Sequence, residues 1–430
     1  MALCKQMPTQ LCIFEDNQYS RLLPLVYFRA VYNLKCGTFS LQEKIQRWYR
    51  DASVTLHCRP YLADVLRLRD PKAAVNQFSP KEYLFINGRV IADEKFTKTV
   101  PLKGAANTVF TNGGQVVAAR VPRETAARWN INMPEVFSAA DFEGMERKEV
   151  DVSMVNFSWD LINRNGAQLH ADWALLSKSL KGKKIRGRLF PGVHLINKKN
   201  IFIGAGSVIK PGVVIDAEGG PVYIGKNVMI MPQSTIIGPV SIGDGSTIKA
   251  GAKIYENTTI GPMCKIGGEV EASIVHGYSN KQHDGFLGHS YLGKWVNLGA
   301  GTTNSDLKNN YGSVKVIVNG ELVDSGSQFV GAVIGDHTKT AINSVLNTGT
   351  VVGAACNIFG RAVPPRFVPS FSWGASGDAV TTYDLGRVIE AAKRVMSRRA
   401  ITFSEIDAVL FKSVFELTHE ERRRRAVQNE

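Results

Sequence analysis

Isoleucine recurs at every sixth position through the middle of the chain, over eight consecutive repeats: Ile224, Ile230, Ile236, Ile242, Ile248, Ile254, Ile260 and Ile266. A small or β-branched residue follows each isoleucine by four positions, and glycine often follows it directly, as at Gly225 and Gly243. A period of six fits neither the 3.6 residues of a helical turn nor the two-residue alternation of a strand. It predicts a coil of three short strands, about 18 residues per turn, with one inward side chain per strand. Stacked coils would share a column of branched aliphatic side chains as their core.

The same phase extends to both sides of this run. It includes Ile203, Ile209 and Ile215 before it, and Leu292, Leu298, Ile334, Leu346, Val352 and Ile358 after it. Residues 216–223 carry a three-residue insertion, because Ile224 follows Ile215 by nine positions rather than six. Residues 271–291 and 304–327 interrupt the period and contain most of the polar residues of this region. Insertions often carry function in solenoids, so we expect the reactive residues in these two segments.

Residues 1 to about 180 follow other patterns. Helical periodicity covers residues 41–50 and 61–70, whereas residues 53–58 and 82–91 are typical of strands. Residues 111–121 read TNGGQVVAARV, a turn signal followed by a strand pattern that predicts a hairpin. Helices that alternate with strands predict an α/β domain with a largely parallel sheet.

A third pattern begins after Trp373. Residues 383–399 and 402–425 are amphipathic and predict two helices, the second of which would begin with a capping box of Thr402 and Glu405. This last helix would pack on the end of the solenoid, which needs a cap, or hold protomers together. The domains predicted from these patterns are residues 1–180, an α/β domain; residues 181–372, the coil; and residues 373–430, a helical tail.

Composition agrees with an enzyme of the cell interior. The chain has 430 residues, of which 44% are hydrophobic and 21% charged, and it contains no stretch of 18 apolar residues. Its start lacks the apolar core of a signal peptide. Six scattered cysteines without a C-x-x-C pair predict neither a disulfide framework nor a structural zinc site. We therefore expect a cytoplasmic protein with no membrane span.

The net charge is strongly positive, since 52 Lys and Arg minus 38 Asp and Glu gives +14. Such a balance attracts nucleic acid, anionic lipid or phosphorylated small molecules. Part of the excess lies in the tail, RRRR at residues 422–425. Basic motifs with interleaved aromatic residues are absent from the sequence, so no nucleic-acid partner is expected.

Several segments resemble one family of bifunctional enzymes. The matching pieces are Phe14-Glu15-Asp16, Leu22-Leu23-Pro24-Leu25, FSWDLINRN at 157–165, GYSNKQHDGFLGHSYLGKWVNLGAGTTNSDLKNNYG at 277–312, and RVMSRR at 394–399. They resemble the UDP-N-acetylglucosamine pyrophosphorylase/glucosamine-1-phosphate N-acetyltransferase family, and more closely a divergent branch of sugar nucleotidyltransferases within it. The resemblance implies a Rossmann-like nucleotidyltransferase domain, a left-handed parallel β-helix and a homotrimer.

The family's chemistry implies the substrates. The β-helix would transfer an acyl group from acetyl-CoA or another acyl-CoA to an amino sugar phosphate, for the synthesis of cell-envelope precursors. The first domain would transfer a uridylyl or thymidylyl group to a sugar phosphate and make a sugar nucleotide.

His289 is the candidate general base of the acyl transfer, because imidazole titrates near neutral pH and this residue lies in a glycine-flanked irregular segment. The family pattern matches Tyr291, Asn297, Asn310 and Tyr311 to the acceptor sugar, with Lys281 and Lys294 as candidates for its phosphate. Candidates for the CoA phosphates are Lys315, Lys339, Arg361 and Arg366. One departure is that His289 precedes Tyr291 by two positions where the family has three. The direction in which the imidazole faces stays open.

Two other functions are open. His276, His283 and His289 lie within 14 residues, and three imidazoles around zinc would make a hydratase similar to the trimeric hexapeptide-repeat carbonic anhydrases. The chain would otherwise be a non-catalytic scaffold that binds a sugar nucleotide.

The first domain lacks the family's glycine-rich loop, because FEDNQYSRLLPL after the first strand contains no glycine. The candidates for nucleotide contacts are Arg21, Arg29, Lys44, Asn87 and Asp160, although Arg21, Arg29 and Lys44 also suit ordinary surface positions. Nucleotidyl transfer uses carboxylates to hold Mg²⁺, so Mg²⁺ is a candidate cofactor here. No residue is assigned as a metal ligand, and a domain that binds without transfer is equally consistent with this sequence.

Overall fold

A computed structural model describes residues 10–180, 184–360, 362–374 and 380–427, and the chain divides into two compact units. The first unit holds the described residues up to Leu22 together with Phe28–Leu34 and Phe39–Asn156. The second holds Leu23–Tyr27, Lys35–Thr38 and the described residues from Phe157 onward. The predicted domain boundaries at residues 180 and 372 stay predictions.

The first unit alternates strands and helices as the sequence predicts. Its elements are β1 Gln10–Phe14, α1 Leu41–Trp48, β2 Ser53–Leu56, α2 Ala63–Arg69, β3 Ala74–Val75, β4 Tyr83–Asn87, α3 Glu94–Thr99, β5 Thr108–Asn112, β6 Gln115–Val121, α4 Arg123–Trp129 and β7 Glu146–Glu149. Short 3-10 helices cover Asn17–Leu22, Val31–Asn33, Pro60–Leu62 and Ala139–Phe142.

These seven strands form one sheet in the order β3-β2-β1-β4-β6-β5-β7. Strand β6 is antiparallel to both of its neighbours, and the other four pairings are parallel, which confirms the largely parallel sheet and the hairpin. Aromatic rings fill the core on one side of the sheet. The rings of Trp129 and Phe137 lie 4.8 Å apart, and those of Phe14 and Phe137 lie 5.4 Å apart.

The second unit begins with helix α5, Ser158–Ser179, and continues as a coil with three strand faces. The first face comprises Ile201–Ile203, Val222–Ile224, Val240–Ile242, Thr258–Ile260, Ile274–Gly277, Tyr291–Lys294, Val333–Ile334, Val351–Val352 and Phe367–Val368. The second comprises Arg188–Leu189, Val208–Ile209, Met229–Ile230, Thr247–Ile248, Lys265–Ile266 and Asn280–Lys281, then Lys339–Thr340, Asn357–Ile358, Ser372–Trp373 and Thr381–Thr382. The third comprises His194–Ile196, Val214–Asp216, Thr235–Ile237, Lys253–Ile254, Glu269–Glu271 and Phe286–Gly288, then Thr303–Asn304 and Val345–Leu346. A 3-10 helix covers Lys198–Asn200.

The recurring isoleucines point inward, as predicted. Ile224 pairs with Ile242, which pairs with Ile260, and Ile230 pairs with Ile248 in the same way on the next face. All eight isoleucines of the run are at most 1% exposed and belong to one hydrophobic cluster. This confirms a parallel β-helix whose core is a column of branched aliphatic side chains. Its handedness stays a prediction.

Small residues at the corners have two physical reasons. The Ser246 hydroxyl donates to the carbonyl of Gly261 at 2.9 Å and accepts from the N–H of Cys264 at 3.0 Å, so it satisfies backbone groups that the turn leaves unpaired. At Gly243 a Cβ atom would lie 2.6 Å from the carbonyl carbon of Gly261 in the next coil. Close stacking of coils therefore excludes larger side chains there.

The two predicted interruptions have different outcomes. Residues 304–327 do leave the coil, and they include an antiparallel hairpin of Lys315–Val318 and Glu321–Asp324. The interruption predicted at 271–291 is wrong, because this segment continues the coil with strands on all three faces. The inward positions from the preceding coil onward are Ile266, Val270, Val275, Lys281, Leu287 and Leu292, so the spacing shortens to four once and to five twice, and a lysine replaces an aliphatic residue.

The tail forms α6 Leu385–Ser397, α7 Glu405–Leu417 and α8 His419–Val427. The predicted capping box of Thr402 and Glu405 is wrong: Ser404 caps α7 by accepting from the N–H of Asp407 at 3.2 Å, and Asp407 accepts from the N–H of Ser404 at 2.8 Å. The last predicted helix is two helices, since the chain turns at Thr418. Within the described ranges, every helix is too short or too polar to cross a membrane.

The end of the coil is closed by a side chain of α8. Beyond the final strand of the first face, the N–H of Ser370 donates to Glu421 at 3.3 Å, and the hydroxyl of Tyr27 donates to the same carboxylate. The rings of Phe371 and Phe415 meet edge to face at 5.0 Å. Burial raises the pKa of the Glu421 carboxyl.

Candidate functional site

His289 stands at a corner of the coil, just before the strand Tyr291–Lys294, and its ring is paired with a carboxylate. Nδ1 of His289 lies 2.8 Å from Oδ2 of Asp306, and the two side chains are only 20% and 13% exposed. Because an ionised carboxylate can only accept, Nδ1 carries a hydrogen, and in the neutral ring Nε2 then holds the lone pair. The arrangement is that of a general base held in one tautomer by its partner.

Two further groups hold the imidazole in place. The ring of Phe329 stacks on it with centroids 5.0 Å apart, and the backbone of His289 is in the left-handed region with φ of 42°. The N–H of His289 donates to the carbonyl of Glu271 at 3.2 Å. Burial raises the pKa of the Glu271 carboxyl, while the charge of His289 acts in the opposite direction.

Two of the predicted acceptor residues lie on the loop that follows Asp306. A shallow depression of about 390 Å³ is lined by residues of this loop, among them Ser305, Lys308 and Asn310. Tyr311 is 67% exposed, and its carbonyl accepts from the side-chain amide of Gln328 at 3.0 Å. The loop thus presents amide, ammonium and phenol groups on the segment that carries the partner of His289.

Other predicted acceptor residues are inside the protein. Lys281 points into the coil, where its ammonium group donates to the carbonyls of Gly267 at 2.9 Å and His283 at 3.0 Å. Burial lowers the pKa of Lys281 to about 8. The Tyr291 hydroxyl accepts from the N–H of Lys35 at 2.9 Å. In this structure both side chains serve the packing of the unit rather than an open surface.

A cavity of about 260 Å³ opens on the second face of the coil. Two predicted residues line it, Asn297 and Lys339, together with Lys265, Arg398 and Arg399, which the sequence reasoning did not single out. Burial lowers the pKa of Lys339 to about 8. Arg398 and Arg399 end the RVMSRR piece of the family resemblance, but the cationic residues of this cavity come from separate coils and from the tail, so no single local motif brings them together.

The remaining candidates of this unit are dispersed. Lys294 is half-buried, with its N–H 3.2 Å from the Asp336 carboxylate; Lys315 is exposed on the hairpin; and Arg366 is exposed near the last strands. Arg361 lies outside the described residues. The predicted set of CoA contacts is therefore not gathered at one point among the described residues.

The three histidines of the zinc hypothesis do not converge. His276 is buried, His283 is exposed, and His289 is paired with Asp306. In the part of the chain that the structure describes, no group of three or more His, Cys, Asp or Glu side chains is arranged to hold a metal ion.

A polar network occupies the carboxyl ends of β1 and β4 in the first unit. The Arg89 guanidinium, which is fully buried, donates to the Asp16 carboxylate at 2.9 and 2.6 Å. Asn87 donates to the same carboxylate at 2.8 Å, and Gln115 accepts from Arg89 at 2.8 Å. A cavity of about 160 Å³ beside this network is lined by Asp16, Gln115 and residues of the Ser138 turn. Ligands bind at this edge of open α/β sheets.

This network does not fit a Mg²⁺ ion. Both oxygens of Asp16 accept from Arg89, and one of them also accepts from Asn87, so a cation would have to displace donors that already hold this carboxylate. Asn87 supplies an amide in place of a second carboxylate. Arg89 was missed by sequence reasoning because nothing local distinguishes it from a surface arginine.

The other residues predicted to contact a nucleotide are mostly buried or hydrogen-bonded within their own unit. Arg29 and Lys44 are each 2% exposed, Arg21 is half-buried, and the carbonyl of Arg29 accepts from Arg59 at 2.9 Å. Asp160 belongs to the second unit, where it accepts from the N–H of Phe157 at 3.0 Å in the first turn of α5. Buried Arg29 and Lys44 do not lie on an open surface where a triphosphate would meet them.

Two family models match segments of this chain. Residues 11–181 match the family model described as sugar nucleotidyl transferase, and residues 221–256 match the model described as bacterial transferase hexapeptide (six repeats). A bifunctional sugar-1-phosphate nucleotidylyltransferase/acetyltransferase of Sulfurisphaera tokodaii is 38% identical over 106 residues, which is 24% of this chain and 26% of that protein. The bifunctional protein GlmU of Geotalea uraniireducens is 34% identical over 229 residues, 46% of each chain.

This chain therefore spans less than half the length of these two relatives. Among solved structures, the UDP-N-acetylglucosamine acyltransferase of Francisella novicida is 16% identical with a TM-score of 0.27, covering 52% of this chain and 75% of that one. A TM-score this low supports no conclusion. On the family models, the chain carries a domain of the sugar nucleotidyl transferase family at residues 11–181 and the bacterial transferase hexapeptide repeat at residues 221–256.

Proposed function

We propose that the β-helix transfers an acyl group from an acyl-CoA to an amino group of a sugar phosphate, with His289 as the general base. The observation that carries this proposal is the hydrogen bond from Nδ1 of His289 to Asp306, which leaves Nε2 as the basic nitrogen. Relatives named nucleotidylyltransferase/acetyltransferase support the class of reaction. The depression lined by Lys308 and Asn310 supplies polar groups suited to a sugar phosphate.

The chemistry follows from this geometry. The nitrogen of the acceptor amine forms a bond to the thioester carbonyl carbon while Nε2 of His289 takes a proton from that amine. The carbon–sulfur bond then breaks, and the leaving thiolate of CoA receives the proton from the imidazolium ring. Asp306 keeps the hydrogen bond from Nδ1 throughout and stabilises the positive charge that the ring carries between the two transfers.

The test is the release of CoA thiol from acetyl-CoA in the presence of glucosamine 1-phosphate. We expect His289→Ala to lower turnover about 100-fold or more, the range of general base catalysis. His283→Ala is the matched control, because His283 is an exposed histidine of the same segment. Undiminished turnover in His289→Ala would remove the proposed base, and a panel of other amino sugars and acyl-CoAs would identify the substrates.

For the first unit, the Asp16 carboxylate already accepts three hydrogen bonds from Arg89 and Asn87, which favours the second candidate function, a domain that binds a sugar nucleotide without making one. An assay of pyrophosphate release from UTP or dTTP with a sugar 1-phosphate distinguishes nucleotidyl transfer from binding without transfer. Turnover there would establish nucleotidyl transfer despite the absence of a glycine-rich loop. Heat of binding for a sugar nucleotide without pyrophosphate release would establish the binding domain.

A homotrimer in the cytoplasm completes the proposal. In family members of this kind the sites would lie between chains, so the depression beside Asp306 would be completed by a second copy. Light scattering that returns three times the 47.1 kDa chain mass supports this assembly, whereas the monomer mass contradicts it.

A further inference from the structure

The second face of the coil carries a row of polar side chains on its outer surface. Lys265 pairs with Asn280, Asn280 with Asn297, and Asn297 with Lys339, each on the next coil. Neighbouring strands are about 4.8 Å apart. Two ammonium groups and two amides therefore form a ladder in which the amides of Asn280 and Asn297 are hydrogen-bonded at 3.2 Å.

The end of helix α6 closes over this ladder. Arg398 and Arg399 line the same cavity as Lys265 and Lys339, and Nη2 of Arg399 donates to the Asn280 side chain at 2.8 Å. The stacked rings of Tyr278 and Trp295, 4.4 Å apart, also line it. The result is a pocket of about 260 Å³ whose lining includes four cationic side chains, the two amides of the ladder and two aromatic rings.

None of these four cations forms an ion pair with a carboxylate in the described ranges, and the residues that line the pocket include neither Asp nor Glu. Burial, and next the charges of Arg399 and Arg398, lower the pKa of Lys265. A folded chain keeps such a cluster at a cost to stability unless an anion offsets it.

We infer that this pocket binds the phosphate groups of a nucleoside diphosphate ester. Arginine and lysine together suit phosphate oxygens, which accept several charge-assisted hydrogen bonds, and the amide ladder suits the hydroxyls of a ribose. Two ligands share this chemistry: CoA, through its phosphorylated adenosine diphosphate, and a UDP-sugar. The inference deepens the proposed function and rests on it in part, since Asn297 and Lys339 are candidates there for the acceptor and the donor.

The experiment is calorimetric titration of the full chain with CoA, UDP-N-acetylglucosamine, UDP and inorganic phosphate, at low and high salt. The test variant is Arg398→Gln/Arg399→Gln, and the matched control is Arg394→Gln, an exposed arginine of the same helix that does not line the pocket. We expect the double variant to weaken one site per chain about tenfold or more, and salt to weaken that site in the wild type. A site in the first unit would persist in the double variant. We expect the separate variant Lys265→Gln to weaken binding at the same site, which tests the pocket independently of the two arginines.

The source of the ligand follows from the probe that binds more tightly. Preference for CoA assigns the pocket to the acyl donor, and preference for the uridine nucleotides assigns it to a sugar nucleotide. Equal affinities in the wild type and both pocket variants, or binding of inorganic phosphate without any nucleotide, would overturn the inference. The same titrations on His289→Ala separate it from the proposed function, because loss of turnover there with binding unchanged leaves the pocket standing.

Discussion

Oδ2 of Asp306 lies 2.8 Å from Nδ1 of His289, although the two residues are 17 positions apart in the sequence. Gly288, which ends the strand before His289, pairs with Glu271 of the preceding coil. These two residues are also 17 positions apart, so one coil comprises 17 residues at this point. The pair is thus a contact between successive coils, placed by the stacking that buries the aliphatic column. A base oriented in this way depends on the regularity of the solenoid rather than on a local loop.

Asp306→Asn tests this orientation. The amide can donate to Nδ1 and so favours the tautomer with its hydrogen on Nε2, which removes the basic lone pair. We expect kcat for acyl transfer to fall about 100-fold or more with little change in KM. Asp324→Asn, which changes an exposed carboxylate of the hairpin, should leave kcat unchanged. An unaltered kcat in Asp306→Asn would contradict the role.

Lys281 makes the stability of the chain depend on pH. Burial lowers its pKa to about 8 from an ordinary value of 10.5. Between these values the unfolded chain binds more protons than the folded chain, so the free energy of unfolding rises with pH. We expect Lys281 to contribute an increase of about 2 kcal/mol between pH 7.5 and 9.5.

The measurement is urea unfolding at pH 7.5 and 9.5 for the wild type and Lys281→Met. The variant should lose this increment, while Lys339, whose pKa burial also lowers, contributes equally to both chains and cancels. Identical pH dependence in the two chains would show that Lys281 titrates as an exposed lysine does.

Ile248→Ala tests the aliphatic column. Ile248 is fully buried between Ile230 and Ile266 of the adjoining coils, so its truncation removes contacts in both directions. We expect a loss of about 2–5 kcal/mol in the free energy of unfolding, measured by chemical denaturation. Ile342→Ala is the control, because Ile342 is 71% exposed and should change stability by about 0.5 kcal/mol or less.

Arg89→Met tests the network in the first unit. It leaves the Asp16 carboxylate without its guanidinium partner in a buried place, which we expect to cost about 3–5 kcal/mol of stability. Asp16→Asn/Arg89→Met removes both charges and should recover part of this loss in thermal unfolding. If the single and double variants lose the same stability, the pair is not coupled as its geometry indicates.

The periodic parts of the fold were predictable because the inward isoleucines occupy equivalent buried positions in successive strands, so the same residue type recurs at a fixed spacing. The segment around Lys281 was not predictable, since a spacing of four at Val270 and spacings of five at Val275 and Leu292 shift the phase, and a lysine occupies an inward position. In the sequence, a lysine at an inward position interrupts the hydrophobic pattern. In the structure, the ammonium group of Lys281 donates to two backbone carbonyls and the coil continues.

The candidate site was only half predictable. His289 follows from its chemistry and segment, whereas Asp306 becomes visible only once the coil length of 17 residues is known at that turn. Arg398 and Arg399 depend on how the tail returns to the coil, and Arg89 on the packing beneath the sheet edge. These are long-range contacts, and no short motif, RVMSRR included, indicates which residues meet.

A stack of parallel strands has unpaired backbone N–H and C=O groups at each end, where a further strand can add. A six-residue repeat by itself contains no feature that ends the stack. The carboxylate of Glu421, held against the N–H of Ser370, occupies one donor that another chain's strand would otherwise take up. Helix α8, which carries Glu421, therefore stops the addition of further strands at this end of the coil. A chain cut before it should elongate end to end into filaments, even though its column of isoleucines is intact.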